Sequence, residues 1–158
     1  MPVAQDYYIG MNPTEEEYKK VVYPVVVKAI DQSANRGMSY CNSQDELVAA
    51  CKYARSMSTS DTVIIERKLE GREYTAWYAL ADGKSSLINF SSMYNQPGYP
   101  SNCYSVTTTH TDKLDRYLQE IDPYFREALK MSGCSEGIAW IEMMLDKDGH
   151  FYVLETGV

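Results

Sequence analysis

No stretch of this sequence approaches the ~18 apolar residues that a membrane span requires, and no signal peptide is visible, so membrane partners are not expected. Positive charge is scarce. With 15 Lys+Arg against 22 Asp+Glu, the formal charge of −7 repels nucleic acid and anionic surfaces, while leaving room for a small anion bound locally. Neither Cys-x-x-Cys nor any Cys/His metal spacing occurs among the four cysteines, Cys41, Cys51, Cys103 and Cys134, and the two histidines, His110 and His150, are isolated. That pattern excludes a zinc-type site and marks the thiols as free, small hydrophobes of a cytoplasmic protein. The loops GxxxxGK[ST] and GxGxxG are missing too, which excludes a Walker A or a dinucleotide fingerprint. Internal repeats and low-complexity tracts are also absent.

What is present suits a globular protein: 158 residues, 44% hydrophobic and 23% charged, enough for one ordinary domain or two small interlocked lobes. The 14 tyrosines fit half-buried strand positions, or the lining of a groove. Residues 1–11 read as an incoming strand or linker. Thr14 with Glu17, and Ser43 with Glu46, have capping-box spacing and predict two helices, the second continuing through Leu47, Val48, Cys51, Ala54 and Met57. "YPVVVKAI" is a strand whose apolar run from Val25 to Ile30 predicts burial on both faces, broken at Lys28. "DTVIIERKLEG" is the next strand, and "EYTAWYALADGKSSLINF" a hairpin turning at Asp82-Gly83. Residues 91–110, with Pro97, Gly98 and Pro100, read as one long loop. Helix follows over 111–131, restarted by Asp122 as cap and Pro123, and ended by Gly133. Helices mixed with antiparallel pairs make the fold class α+β.

The last hairpin, "IEMMLDKDGHFYVLET", poses the sharpest question. If Asp148-Gly149 is a two-residue turn, Glu142 faces Glu155 and Met144 faces Val153. Directly opposed Cβ atoms are ~4.5–5.5 Å apart, and like charges there destabilise. A magnesium ion would compensate them, since it commonly takes one or two protein carboxylates and leaves its other positions to water and phosphate oxygens. A shared proton, a nearby arginine, or a longer turn that shifts the register would serve as well. Upstream, Lys28 precedes a small-residue loop ending at Gly37, an arrangement able to cradle phosphate or to be an ordinary surface turn.

In this order the blocks resemble the ATP-grasp superfamily. "KAIDQSANRGM" is similar to its lysine and flap, "VIIERKLEGREY" to its hinge block, and "IEMMLDKDGHFYVLETG" to its metal-binding block, together spanning residues 21–157. The resemblance implies two α+β lobes, residues 1–72 and 73–158, gripping Mg-ATP, with a mainly antiparallel sheet in the second. Lys28 and Arg36 would neutralise phosphate charge. Ser33 and Gly37 belong to the 31–37 flap, Met38 would touch the adenine, and Glu66 would accept from its amino group. The backbone at Lys68 and Leu69 would complete the hinge contacts, Glu73 would hold the ribose hydroxyls, and Glu142 and Glu155 would bind Mg2+, with Mn2+ as an alternative. The implied partners are a small-molecule carboxylate and an amine, an N-terminal α/β domain left behind at Pro2-Val3, and a second copy in a homodimer. The implied reaction is acyl-phosphate formation by a carbamoyl-phosphate synthase-like or carboxylate-amine ligase-like enzyme. Nucleotide binding without turnover is the alternative, because the family block often closes Glu-x-Asn-Pro-Arg and this one reads "ETGV". Tyr94, Tyr99, Tyr104 and His110 are candidates for substrate contact.

Overall fold

Thr14 and Glu17 close the reciprocal box that their spacing predicts. The Thr14 hydroxyl accepts from the Glu17 amide at 3.3 Å, and the Glu17 carboxylate accepts from the Thr14 amide at 2.6 Å. They start a one-turn helix, α1 (Glu15–Tyr18), in a computed structural model that describes residues 1–95, 104–108 and 112–158. The second box is half formed: Ser43 Oγ caps Glu46, but the Glu46 carboxylate reaches the Asn42 amide instead, at 2.7 Å. It starts α2 (Gln44–Met57). Among the described residues no helix is long and apolar enough to cross a membrane.

The chain divides into two units, Ala4–Lys68 and Leu69–Val158 with Met1–Val3. In the first, β1 (Asp6–Gly10), β2 (Val25–Ala29), β3 (Ser39–Cys41) and β4 (Val63–Arg67) form an antiparallel sheet ordered β1-β4-β2-β3. Alternation puts Val25, Val27, Ala29, Val63 and Ile65 on one face, where they bury against Leu47, Ala50, Cys51 and Ala54 of α2. Val26 is buried too, as the apolar run predicts, whereas Ile30 lies past the strand and is exposed.

The second unit is an antiparallel sheet ordered β7-β6-β5-β8-β9, with two helices on one face. Its strands are β5 (Gly71–Ala81), β6 (Lys84–Asn95), β7 (Tyr104–Thr108), β8 (Gly137–Asp146) and β9 (Phe151–Gly157). Tyr74, Ala76, Tyr78, Ala139, Ile141, Met143 and Phe151 point to the helices α3 (Leu114–Glu120) and α4 (Asp122–Ser132), meeting Tyr117, Ile121, Phe125 and Leu129. Asp82 and Gly83, at φ 50° and 69°, make the expected two-residue turn between Ala81 and Lys84. A parallel bridge joins Val3 to Val153, whose amide donates to the Pro2 carbonyl at 2.9 Å.

Three sequence expectations are corrected. The region 91–110 is not one loop: β6 runs on to Asn95 and pairs with β7, since small Ser91 and Ser92 fit a buried strand as well as a turn. Asp122 is not a cap. Ile121 occupies that place, and the Asp122 carboxylate is buried, accepting from the Tyr78 hydroxyl at 2.5 Å and from Arg126 Nε at 2.7 Å. The β8–β9 turn is longer than predicted: Asp146 pairs with His150, so Lys147, Asp148 and Gly149 form a three-residue loop, with Gly149 at φ 84°.

Candidate functional site

The sheet face turned away from α3 and α4 carries the acidic residues. On β5 the core takes Tyr74, Ala76 and Tyr78, so Glu73, Thr75 and Trp77 share the opposite face. On β8 the core takes Ala139, Ile141 and Met143, leaving Trp140, Glu142 and Met144 beside them. Strand pairing then sets out three rows: Trp77, Trp140 and Gly157; Thr75, Glu142 and Glu155; Glu73 and Met144.

Glu155 reaches this face by way of an irregularity. Phe151 and Val153 pack on the helix-covered core, and strict alternation would send Glu155 after them. Between the pairs Glu142–Glu155 and Met143–Val153, however, Leu154 is an extra residue on β9. This β-bulge turns the strand by one position and aims Glu155 at Glu142. The longer turn had shifted the register by one residue, giving Met144 Tyr152 rather than Val153 as partner, and the bulge shifts it back.

Glu142 is half-buried and Glu155 exposed. Burial above all, then the charges of Glu155 and Glu73, raise the Glu142 pKa above the ordinary carboxylate value. Among the described residues no arginine or lysine forms an ion pair with either member of the pair, so the cationic-neighbour alternative fails. Nor does any group of three or more His, Cys, Asp or Glu among the described residues converge tightly enough to enclose a metal. Two converging oxygen donors with a surplus of negative charge fit a hard divalent cation that keeps most of its positions for other ligands, and do not fit an all-protein cage.

In the first unit, Lys28 and Glu66 lie diagonally on the sheet face opposite α2, two pairing positions apart, since Val26 pairs with Glu66 and Lys28 with Ile64. Lys28 Nζ meets Glu66 Oε2 at 2.5 Å, and that contact is the partner of an oxygen that is buried and makes no further hydrogen bond. Lys68 holds its ammonium 5.2 Å from the Tyr40 ring centroid, while its amide donates to the Pro24 carbonyl at 3.1 Å.

The loop after Lys28 is anchored at its start by Asp31, whose carboxylate accepts from the Thr59 and Ser60 amides, both at 2.9 Å. The Thr59 hydroxyl, which also donates to this carboxylate, does most to hold the Asp31 pKa well below the usual range, with Ser58 and Ser60 adding to it. Ser33 and Arg36 are exposed at its crest, with Ala34 and Asn35 at φ 54° and 59°. Met38 is half-buried, its amide bonded to the Asn35 carbonyl at 3.2 Å. Gly37 turns inward: a Cβ there would stand 2.9 Å from Ala29 Cβ and 3.1 Å from Met57 Cβ, so packing and a φ of 73° both demand glycine.

The structure therefore brings together Lys28 with Glu66, and Glu142 with Glu155 and Glu73, while Gly37 faces the core. Leu69 lies between β4 and β5, at the start of the second unit. Tyr94 is exposed and accepts from Arg72 at 2.8 Å, whereas Tyr99, His110 and the Tyr104 side chain lie outside the described residues. The sequence motifs do not include Thr75, Trp77, Trp140 or the Leu154 bulge. Counting by twos from Glu142 exposes Trp140; nothing in the sequence marks the bulge.

The family model described as "D-ala D-ala ligase C-terminus" matches residues 5–157. A D-alanine–D-alanine ligase of Halorhodospira halophila is 29% identical over 139 residues, covering 86% of this chain and 44% of its own length. Chloroplastic biotin carboxylase 2 of Populus trichocarpa is 24% identical over 160 residues, covering 92% of this chain and 29% of its own. The chain thus spans less than half the length of either relative. Among solved structures, a biotin carboxylase complex from Campylobacter jejuni superposes with a TM-score of 0.83 at 20% identity, over 99% of this chain and 36% of that one. D-alanyl-alanine synthetase A from Vibrio cholerae gives 0.81 at 18% identity, over 100% and 50%. These two likenesses establish a shared fold.

Proposed function

The chain belongs to the D-ala D-ala ligase C-terminus family of the ATP-grasp superfamily, and we propose that it binds Mg-ATP for a ligase that activates a carboxylate, or bicarbonate, for capture by an amine or similar nucleophile. The observation that carries this reading is the Glu142–Glu155 pair, two carboxylates opposed on one sheet face with no cationic partner among the described residues. In the activating step a carboxylate oxygen bonds to the γ-phosphorus, the bond to the bridging oxygen breaks, and ADP leaves. The amine nitrogen then bonds to the acyl carbon and phosphate departs with the bonding pair. A bound magnesium ion supplies charge neutralisation at the phosphates.

The chain's own part is positioning. Glu142 and Glu155 would hold the metal, Glu73 the ribose hydroxyls, and Lys28, Ser33 and Arg36 the phosphates. Glu66, Met38 and the backbone at Gly37, Lys68 and Leu69 would serve the base and flap. Lys28 must then trade Glu66 for phosphate oxygens. A second reading, nucleotide binding without turnover, is favoured by Gly157, which offers no side chain where the family block commonly supplies a further metal ligand. Thermal unfolding with ATP, with and without Mg2+, tests the binding. A ligand at 100 times its dissociation constant adds about 2.7 kcal/mol, and no magnesium-dependent shift overturns the proposal. Phosphate release with a series of carboxylates decides between the two readings.

A further inference from the structure

The row beside the carboxylate pair is aromatic. Trp77 and Trp140 pair directly across β5 and β8, their ring centroids 6.3 Å apart, and Trp77 is 38% exposed on the face away from the helix-packed core. Beyond Trp140, Gly157 completes the row, and a Cβ there would stand 2.5 Å from the indole Nε1. Gly157 is thus a glycine because the Trp140 ring lies over it. The same residue that withholds a metal ligand makes room for an indole. Ile138, one row further out, is 47% exposed and extends the apolar strip.

We propose that Trp77 and Trp140 wall a subsite for the apolar substituent of the carboxylate substrate, so that the chain selects an acid bearing an aromatic or large aliphatic group. This rests on the Mg-ATP reading above. Residues two apart on a strand lie about 6.7 Å apart, so the aromatic row stands one such step from Glu142 on one side, and Glu73 one step on the other. In an in-line displacement the attacking oxygen enters opposite the leaving ADP. With the ribose at Glu73 and the metal at Glu142 and Glu155, the entering carboxylate comes from the tryptophan side. A small or charged substituent would leave two indoles wet or bury a charge against them.

Both tryptophans of the sequence stand in this row, so the tryptophan emission, excited selectively over that of the 14 tyrosines, reports on it. The test titrates the chain, with magnesium and the β,γ-imido analogue of ATP, against 3-phenylpropionate, 4-methylpentanoate, acetate and succinate. Expected is a saturable emission change with the first two acids at concentrations at least tenfold below those the last two require. Gly157→Ala, whose methyl displaces the indole, should raise the 3-phenylpropionate midpoint at least tenfold; Trp140→Leu serves the same end if the alanine variant does not fold. Equal response to all four acids, or none while the magnesium-dependent thermal shift is present, overturns this proposal alone. Absence of that shift in the unsubstituted chain overturns the Mg-ATP reading and this one with it.

Discussion

Lys28 and Glu66 meet across β2 and β4 as opposite charges; Glu142 and Glu155 meet across β8 and β9 as like charges. The first pair is complete within the protein: a partly buried ammonium and a partly buried carboxylate at 2.5 Å. The second carries a deficit that burial deepens, as the raised Glu142 pKa records. A charge pair that satisfies itself can wait for a competitor, and one that repels calls for a cation from outside. The two arrangements should therefore answer to mutation with opposite signs.

The carboxylate pair should show the largest effect, measured by urea unfolding with and without Mg-ATP. Glu142→Gln or Glu155→Gln should remove the ligand-linked gain of about 2.7 kcal/mol at 100 times the dissociation constant and leave the fold intact. A retained shift in both variants places the metal elsewhere. Lys28→Met strands Glu66 without its cation and should destabilise the ligand-free chain by roughly 1–3 kcal/mol; a stabilised variant would dissolve the contrast.

The smallest effect has the opposite sign. In metal-free buffer at neutral pH, Glu142→Gln should stabilise the chain by about 0.2–1 kcal/mol, because it relieves repulsion. The folded chain keeps the Glu142 proton to higher pH than the unfolded chain does, so native stability falls as pH rises from the ordinary carboxylate range through the raised value. The gain from glutamine should appear across that window and vanish below it. A gain that persists in acid would trace to something other than charge.

Local chemistry was legible where one residue type had one use. Asp82-Gly83 gave its turn, Thr14 and Glu17 their box, and Gly133, at φ 76°, the end of α4. Asp122 misled because its spacing suits a cap, while Tyr78 and Arg126, distant or unremarkable in sequence, claim its carboxylate in the folded core. The opposition of Glu142 and Glu155 was foreseen on an incomplete argument. The turn is one residue longer than expected, and the bulge at Leu154 restores the register. Turn preference is local, yet Asp148-Gly149 sits in the longer, three-residue form; the bulge answers to the packing of Phe151 and Val153 against the helices, which no run of residues announces. The two-residue-turn register already sets Gly157 opposite Trp140, and the row stands because the longer turn and the bulge cancel.

The bridge between Val3 and Val153 makes the order of synthesis and the order of assembly differ. Residues 4–68 can complete their own sheet as soon as they are made, but Pro2 and Val3 find their partner only once β9 has been made. Closing so long a loop is entropically slow, and the cost grows only logarithmically with its length. The Val153 amide, which donates to the Pro2 carbonyl, should therefore be among the last to gain protection from hydrogen exchange during refolding, and β9, which carries Glu155, is the strand that this bridge fastens.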